Sequence, residues 1–251
     1  MNEYLKRLQK LEFVLTDACT GACKHCSQGD HARGTRHLSP ELAVRTVKEL
    51  SAVFSLRTVM VFGGEPLLYP DDAGSIIAAA RDARIPHRQI ITNGCFTKNE
   101  NEMRRVARLL GESGVNDLLL SVDAFHQESL PLEQAHLFAR LAREAGIPLR
   151  LQPAWLVSRE DRNGYNQSTR AILTELERDG FCIAEGNIIF PEGNAKKYLS
   201  SYFTFPPPPN PYEEDPRDLH TLSVDADGTV LGQSLYEKSV LEIVASYRPH
   251  K

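Results

Sequence analysis

Short apolar runs alternate with amphipathic stretches along most of the chain. The apolar runs predict six strands, at residues 11–15, 58–62, 88–92, 117–122, 149–157 and 187–190. The stretches between them carry apolar residues at helical spacing and predict five helices. The first begins at Ser39-Pro40-Glu41, where a capping serine, a proline and an acid open a helix with Val44, Val47, Leu50 and Phe54 on one face. Residues 73–83, 103–110, 132–142 and 168–179 give the other four.

Strict alternation of strand and helix predicts a parallel sheet, because each helix returns the chain to the same end of the sheet. The strands are continuous apolar runs, as expected where helices or a core cover both faces. We therefore predict an α/β fold, an incomplete parallel (β/α)6 barrel with about six strands where a closed barrel has eight.

The pattern changes after residue 190. Six of the fifteen prolines lie between Pro206 and Pro216, which predicts an extended linker. Beyond it, Asp227-Gly228 between two strand-like runs predicts a hairpin turn, followed by a helix at 236–247. We predict three segments: a barrel at 1–200, a Pro-rich linker at 201–218, and a C-terminal hairpin and helix at 219–251 that form an appendage packed on the barrel.

Charge and hydropathy narrow the possible functions. The chain has 29 basic and 33 acidic residues, a net charge of −4, which argues against a sequence-independent nucleic-acid partner. No apolar run approaches the roughly 20 residues of a membrane span. The first fifteen residues do not have the pattern of a signal peptide, and we expect a cytoplasmic, reducing location.

The chain has five cysteines, which is an odd number, and three of them fall within eight residues. This pattern predicts a metal site rather than a disulfide framework. Cys19, Cys23 and Cys26 can hold one corner of a 4Fe-4S cluster and leave one iron open. Zinc is the alternative, with His25, His31 or His37 as the fourth ligand, and a non-catalytic zinc or iron-sulfur interaction module would follow from it. We expect both Cys95 and Cys182 to be buried thiols and no second cluster to form.

The order of the motifs resembles that of the radical S-adenosylmethionine (SAM) superfamily over residues 11–190. Cys19-x3-Cys23-x2-Cys26 is similar to the family's cluster loop, and Gly63-Gly64-Glu65-Pro66 is similar to its second signature. Thr92-Asn93-Gly94 and Ser121-Val122-Asp123 resemble later family elements. All four follow predicted strands, so they should meet at the carboxyl end of the barrel, where active sites are built.

The resemblance implies a role for each motif. The amine and carboxylate of SAM would chelate the open iron, with the backbone carbonyls of Gly63 and Gly64 and the side chain of Glu65 beside the amine. His25 would lie near the adenine. Ser121, Asp123, Asn93 and Gln152 are candidates for the ribose or the methionine carboxylate. Asp123 and His126, in the DAFHQE segment, are candidates for substrate contact or proton transfer.

The same resemblance implies that an electron from the cluster cleaves SAM to a 5′-deoxyadenosyl radical, which takes a hydrogen atom from the substrate. An external donor such as flavodoxin or ferredoxin would supply the electron. Only about ten residues precede the first predicted strand, which favours a small metabolite, or a peptide held by the barrel and the tail.

Overall fold

The computed structural model describes residues 2–30 and 36–249, and its helices alternate with parallel strands. The strands are β1 Lys10–Val14, β2 Thr58–Phe62, β3 His87–Thr92, β4 Asp117–Ser121, β5 Leu149–Gln152, β6 Ala154–Leu156, β7 Cys182–Ile183, β8 Asn187–Ile189, β9 Thr221–Val224, β10 Thr229–Val230 and β11 Gln233–Ser234. The helices are α1 Pro40–Ser51, α2 Pro70–Asp82, α3 Glu100–Ser113, α4 Ala124–Gln127, α5 Leu132–Glu144, α6 Gly164–Arg178, α7 Gly193–Tyr198 and α8 Val240–Ser246. Short 3-10 helices lie at Glu3–Leu5, Pro66–Leu68 and Ser200–Tyr202.

The main sheet has seven strands in the order β7-β5-β4-β3-β2-β1-β9, and every neighbouring pair is parallel. Its two edge strands are not paired with each other, so the sheet stays open. The predicted α/β fold with an incomplete parallel barrel is confirmed, with seven strands in the sheet rather than six.

Two predicted strands differ from those observed. The run 149–157 is divided at Pro153, which has no amide hydrogen to donate to the ladder, and β6 leaves the main sheet to pair with β8. The predicted strand at 187–190 is β8 and belongs to this small sheet. The edge of the main sheet is instead the two-residue strand β7, which pairs with β5.

The C-terminal tail contributes to the sheet. Its first strand, β9, pairs with β1 in parallel, with Lys10 opposite Thr221 and Phe13 opposite Val224. The predicted turn at Asp227-Gly228 is present, and the amide of Asp225 donates to the carbonyl of Thr229 across it. The antiparallel hairpin itself joins β10 to β11. The domain boundaries at residues 200 and 218 stay a prediction.

The core lies between the sheet and the helices, and the face of α3 that the apolar spacing predicts is the buried one. Met103, Val106, Ala107 and Leu110 of α3 are at most 1% exposed. Ser39 caps α1 by accepting from the amide of Leu42, as predicted. Among the helices of the described residues, none combines the length and apolarity of a membrane span.

Candidate active site

A cavity of about 960 Å³ opens at the carboxyl ends of β1 to β5. All the predicted site residues line it except Glu65 and Pro66. Parallel strands bring the turns that follow them to one edge of the sheet, which explains why residues more than a hundred positions apart share this wall.

The cysteine loop is closed at its base by the segment that follows it. The amide of Asp17 donates to the carbonyl of Arg36, and the amide of Leu38 donates to that of Leu15. Within the loop, the Cys26 amide donates to the Cys23 carbonyl at 3.3 Å. The three cysteines are therefore held on a short turn facing the cavity. His31, one of the zinc candidates, lies outside the described residues, and His37 contacts Asp72 and the Tyr69 ring rather than lining the cavity.

The thiols of this loop lie in a poorly solvated environment. Burial raises the pKa of Cys19 to about 11, although a hydrogen bond from the Gly21 amide to its sulfur lowers the pKa in part. Burial and the charge of Asp123 also raise the pKa of Cys23 well above its usual range. A bound iron ion would supply the positive charge that thiolates need here, because metal coordination deprotonates a thiol. Three converging thiols next to a cavity fit a cluster with an open iron.

The glycine pair after β2 packs directly on the start of the cysteine loop. Gly63 has φ of +141°, and a Cβ atom there would lie 2.7 Å from the Thr16 carbonyl oxygen. At Gly64 a Cβ atom would lie 2.1 Å from the Ala18 carbonyl oxygen. The Gly64 amide donates to Thr16 and the Glu65 amide to Ala18. No side chain fits between these two backbones, so both glycines are required for the loop to approach.

Glu65 lies behind the glycine pair and is fully buried. Its carboxylate accepts from the Leu67 amide, the Thr92 hydroxyl and the Asn93 amide, at 2.9, 2.7 and 2.8 Å. Burial raises the pKa of Glu65 to about 7, although these hydrogen bonds oppose the shift. Pro66, also buried, opens the short 3-10 helix that follows. These two residues brace the cavity wall rather than line it, and the contact of the Glu65 side chain with the SAM amine stays a prediction.

Asn93 is held in one orientation. Its Oδ1 accepts from the Cys95 amide at 2.8 Å, so its Nδ2 faces Thr20 at 3.2 Å and the Cys19 sulfur at 3.8 Å. A side-chain amide thus donates to a sulfur of the cysteine loop. Hydrogen bonds to cluster sulfurs are one of the ways in which a protein sets the reduction potential of an iron-sulfur cluster.

Asp123 and His126 form a buried pair at the end of β4, with His126 Nδ1 2.8 Å from Asp123 Oδ2. Burial alone would raise the pKa of Asp123, but the charge of His126 and its hydrogen bond hold that pKa to about 2. Burial would lower the pKa of His126, and the Asp123 carboxylate raises it instead. Asp123 also accepts from the amides of Phe125 and Ala154. The carboxylate is therefore saturated by this chain's own donors.

His25 completes this side of the cavity. Its ring lies 5.0 Å from that of Phe125 and 4.8 Å from that of His126, measured between centroids. Burial lowers the pKa of His25 to about 4, so the ring is neutral at pH 7. Its Nδ1 is buried and has no hydrogen-bond partner among the described residues. A neutral ring with a buried polar atom that has no partner among the described residues is suited to contact a flat heteroaromatic ligand.

Ser121 and Gln152 face the cavity side by side, because they are opposite each other in the register of β4 and β5. Gln152 Nε2 donates to Asn187 Oδ1 at 3.1 Å. Both residues are half-buried, which leaves polar atoms of this wall accessible to a ligand.

The two remaining cysteines differ. Cys95 is buried, as predicted, at 6% exposure. The prediction that Cys182 is buried is wrong: it lies on β7, an edge strand that pairs with β5 on one side only, and it is exposed.

Sequence reasoning missed two residues that support the cysteine loop. Asn194, at the start of α7, donates from its backbone amide to the Cys26 carbonyl and from its side chain to the Cys23 carbonyl. Ser129 accepts from the Ala22 amide at 3.2 Å. Neither has a local signal, since each is brought to the loop from more than a hundred positions away by the fold.

The fold and the cavity together define an open α/β barrel with a three-cysteine loop at the carboxyl edge of its sheet. The family model of the Radical SAM superfamily matches residues 13–149, which is more than half of the chain. The chain belongs to the radical SAM superfamily. It is accordingly an enzyme, and its family works with a 4Fe-4S cluster and SAM.

Curated relatives match about half of the chain. A probable GTP 3′,8-cyclase of Methanocaldococcus jannaschii is 27% identical over 128 residues, 51% of this chain and 40% of that protein. GTP 3′,8-cyclase 2 of Pseudomonas aeruginosa is 28% identical over 155 residues, 57% of this chain and 44% of that protein. The chain thus matches less than half the length of these relatives.

Among solved structures, SuiB of Streptococcus suis bound to S-adenosylmethionine superposes with a TM-score of 0.58. The sequence identity is 13%, and the match covers 95% of this chain and 65% of that chain. At this identity the similarity shows a shared fold.

Proposed function

We propose that this protein reductively cleaves SAM at a 4Fe-4S cluster held by Cys19, Cys23 and Cys26, and that the cavity below holds the substrate from which a hydrogen atom is taken. The contact that best supports this proposal is the packing of Gly63-Gly64 on residues 16–18. It brings the turn after β2 and the cysteine loop together on one cavity wall.

When bound, the cluster supplies one electron and SAM supplies the 5′-deoxyadenosyl radical; the chain supplies position and shelter from water. The Gly63 and Gly64 backbone would receive the methionine end of SAM, and the neutral His25 ring, Ser121 and Gln152 would hold the nucleoside end. Glu65 acts as a positioning residue, since its carboxylate ties the turns after β2 and β3 together.

His126, oriented by the buried Asp123 carboxylate, would act on protons or substrate at the cavity wall. Because Asp123 holds Nδ1 of His126, the Nε2 atom is the nitrogen of this ring that can exchange a proton with a ligand. The electron donor we expect is a flavodoxin or ferredoxin, and we expect the protein to work in a reducing, cytoplasmic compartment. The substrate is a small metabolite or a peptide.

The decisive experiment is anaerobic reconstitution with iron and sulfide. We expect a 4Fe-4S absorption and electron paramagnetic resonance (EPR) spectrum, a change in that spectrum when SAM is added, and release of 5′-deoxyadenosine with dithionite. A protein that binds zinc in place of iron, or holds a cluster that SAM does not perturb, would instead be the non-catalytic module.

A further inference from the structure

The cavity is much deeper on one side than on the other. Along β1 it is lined over the whole strand, by Lys10, Glu12 and Val14, and beside it by Thr221 and Ser223 of β9. On β3 the lining starts only at Ile91, next to the carboxyl end. At about 3.3 Å per residue, Lys10 lies about 13 Å along β1 from Val14. This lower part of the cavity is separate from the turns that carry the predicted SAM residues.

An ion pair lies in this deep part. Lys10 Nζ is 2.5 Å from Glu12 Oε1, and the two side chains are 34% and 19% exposed. Strand β9 provides polar neighbours at the same register, Thr221 opposite Lys10 and Ser223 opposite Glu12. A half-buried pair of charges that lines a cavity contributes little to stability after its desolvation cost, which makes a binding role a better account of it.

The other nearby carboxylate is committed to the fold. Glu214 accepts from the amides of His220 and Thr221 and from the Thr221 hydroxyl, and thereby fixes the start of β9. Lys10 and Glu12 have each other as partners, so a ligand can exchange for either one without breaking backbone contacts.

The pair restricts the charge of its ligand. An anion bound to Lys10 would leave Glu12 uncompensated in a half-buried site, and a cation bound to Glu12 would do the same to Lys10. A zwitterion satisfies both: one ion pair opens and two form, with no unpaired charge.

A polyphosphate is a poor match for this wall. Among the described residues lining the cavity, Lys10 is the one permanently charged cation, against the carboxylates of Glu12, Asp123, Glu192 and Glu214. Phosphate chains are normally bound by several cations or by arginine forks. The resemblance to GTP 3′,8-cyclases is therefore not matched here by the chemistry of a triphosphate site.

We propose that Lys10 and Glu12 form the substrate subsite and that the substrate is a free amino acid, with its carboxylate on Lys10 and its ammonium group on Glu12. This inference rests on the proposed function and names the substrate class for the same cavity.

The test uses the reconstituted, SAM-loaded enzyme and isothermal calorimetry. The probes are the standard free L-amino acids, the N-acetyl and carboxamide derivatives of the tightest one, and GTP. We expect one or a few amino acids to bind, and each derivative to bind at least about tenfold more weakly, because it leaves one member of the pair unmatched. GTP should not compete.

Each variant should make a different derivative bind more tightly than the amino acid itself. Lys10→Met should bind the cationic carboxamide more tightly than the amino acid, and Glu12→Gln should prefer the anionic N-acetyl derivative. Lys6→Met, at an exposed position outside the cavity, is the matched control and should retain the wild-type order. Cluster content and the SAM-induced EPR change show whether each variant is folded; if one is not, the derivative series on the wild type still decides.

The subsite is overturned if no amino acid binds the SAM-loaded wild type, if the derivatives bind equally well, or if GTP binds and displaces the amino acid. Failure of the proposed function has a different signature, namely no SAM effect on the cluster and no 5′-deoxyadenosine. Amino-acid binding with the reversed preferences in a protein that does not cleave SAM would contradict the proposed function and leave the subsite standing.

Discussion

The carboxylate of Glu65, which follows β2, accepts a 2.8 Å hydrogen bond from the backbone amide of Asn93, which follows β3. The same carboxylate accepts from the Leu67 amide and the Thr92 hydroxyl. One buried side chain thus fixes the distance between two turns, and Asn93 in turn contacts the Cys19 sulfur.

Removing this carboxylate should destabilise the protein strongly. Glu65→Ala leaves three donors without an acceptor, and we expect a loss of about 3 kcal/mol or more in the free energy of unfolding. Glu65→Gln keeps one acceptor oxygen and replaces the other with an amide NH2 group that faces a donor. We therefore expect a smaller loss than for Glu65→Ala, about 1–2 kcal/mol. Anaerobic urea unfolding measures both. A loss below about 1 kcal/mol for Glu65→Ala would show that the three hydrogen bonds do not stabilise the fold.

Gly64→Ala should remove the cluster rather than the fold. The added Cβ would lie 2.1 Å from the Ala18 carbonyl oxygen, so the backbone leading to Cys19 must move. We expect iron content after reconstitution to fall at least about fivefold, while the far-ultraviolet circular dichroism is retained. Gly164→Ala is the matched control, because a Cβ atom at Gly164 meets no atom within 4 Å. A full cluster in Gly64→Ala would contradict the close approach seen here.

The cysteines give a test of the ligand set. Cys23→Ala should abolish cluster binding, since two thiolates cannot hold three irons of a cuboidal cluster. Cys182→Ala, at an exposed position on β7, should leave iron content unchanged. Iron analysis and the absorption spectrum of the reconstituted variants report both results. Retention of a full cluster in the first variant, or loss of iron in the second, would require a different set of ligands.

The fold could be predicted where the local pattern decides it and not where pairing at long range does. The apolar run of β2 and the serine cap of α1 are encoded within a few residues, and both are found where predicted. Strand β7 has only two residues, and it is defined by its pairing with β5 rather than by its own sequence. The pairing of β9 with β1 joins positions more than two hundred residues apart, and no local pattern specifies it.

The site shows the same limit. Which residues reach the cavity followed from their positions after parallel strands, so Asn93, Ser121 and Asp123 were found. Whether a side chain faces the cavity or braces it from behind depends on packing, and no local pattern indicates that Glu65 lies behind the cavity wall. Lys10 and Glu12 were missed because an alternating charged pair at the start of a strand resembles an ordinary solvent-exposed edge.

The buried pair of Asp123 and His126 predicts how stability depends on pH. Asp123 raises the pKa of His126, so the stabilisation from a charged His126 is fully present below the unfolded value of about 6.5 and is lost as the pH rises. The pKa of Asp123 is held to about 2, so its contribution is present above about pH 4 and lost as the pH falls. The pair should therefore stabilise the fold most between about pH 4 and 6.5.

His126→Gln tests this window because it removes the titrating ring and keeps a hydrogen-bonding side chain. Urea unfolding should show a deficit against the wild type that is larger near pH 5.5 than near pH 8.5, by about 1 kcal/mol. His136→Gln is the control, since it removes a histidine from an ion pair with the half-exposed Asp179, and such pairs contribute little. An equal deficit at both pH values, or a larger one at pH 8.5, would mean that His126 is neutral in its pair with Asp123 and that the hydrogen bond alone holds the two together.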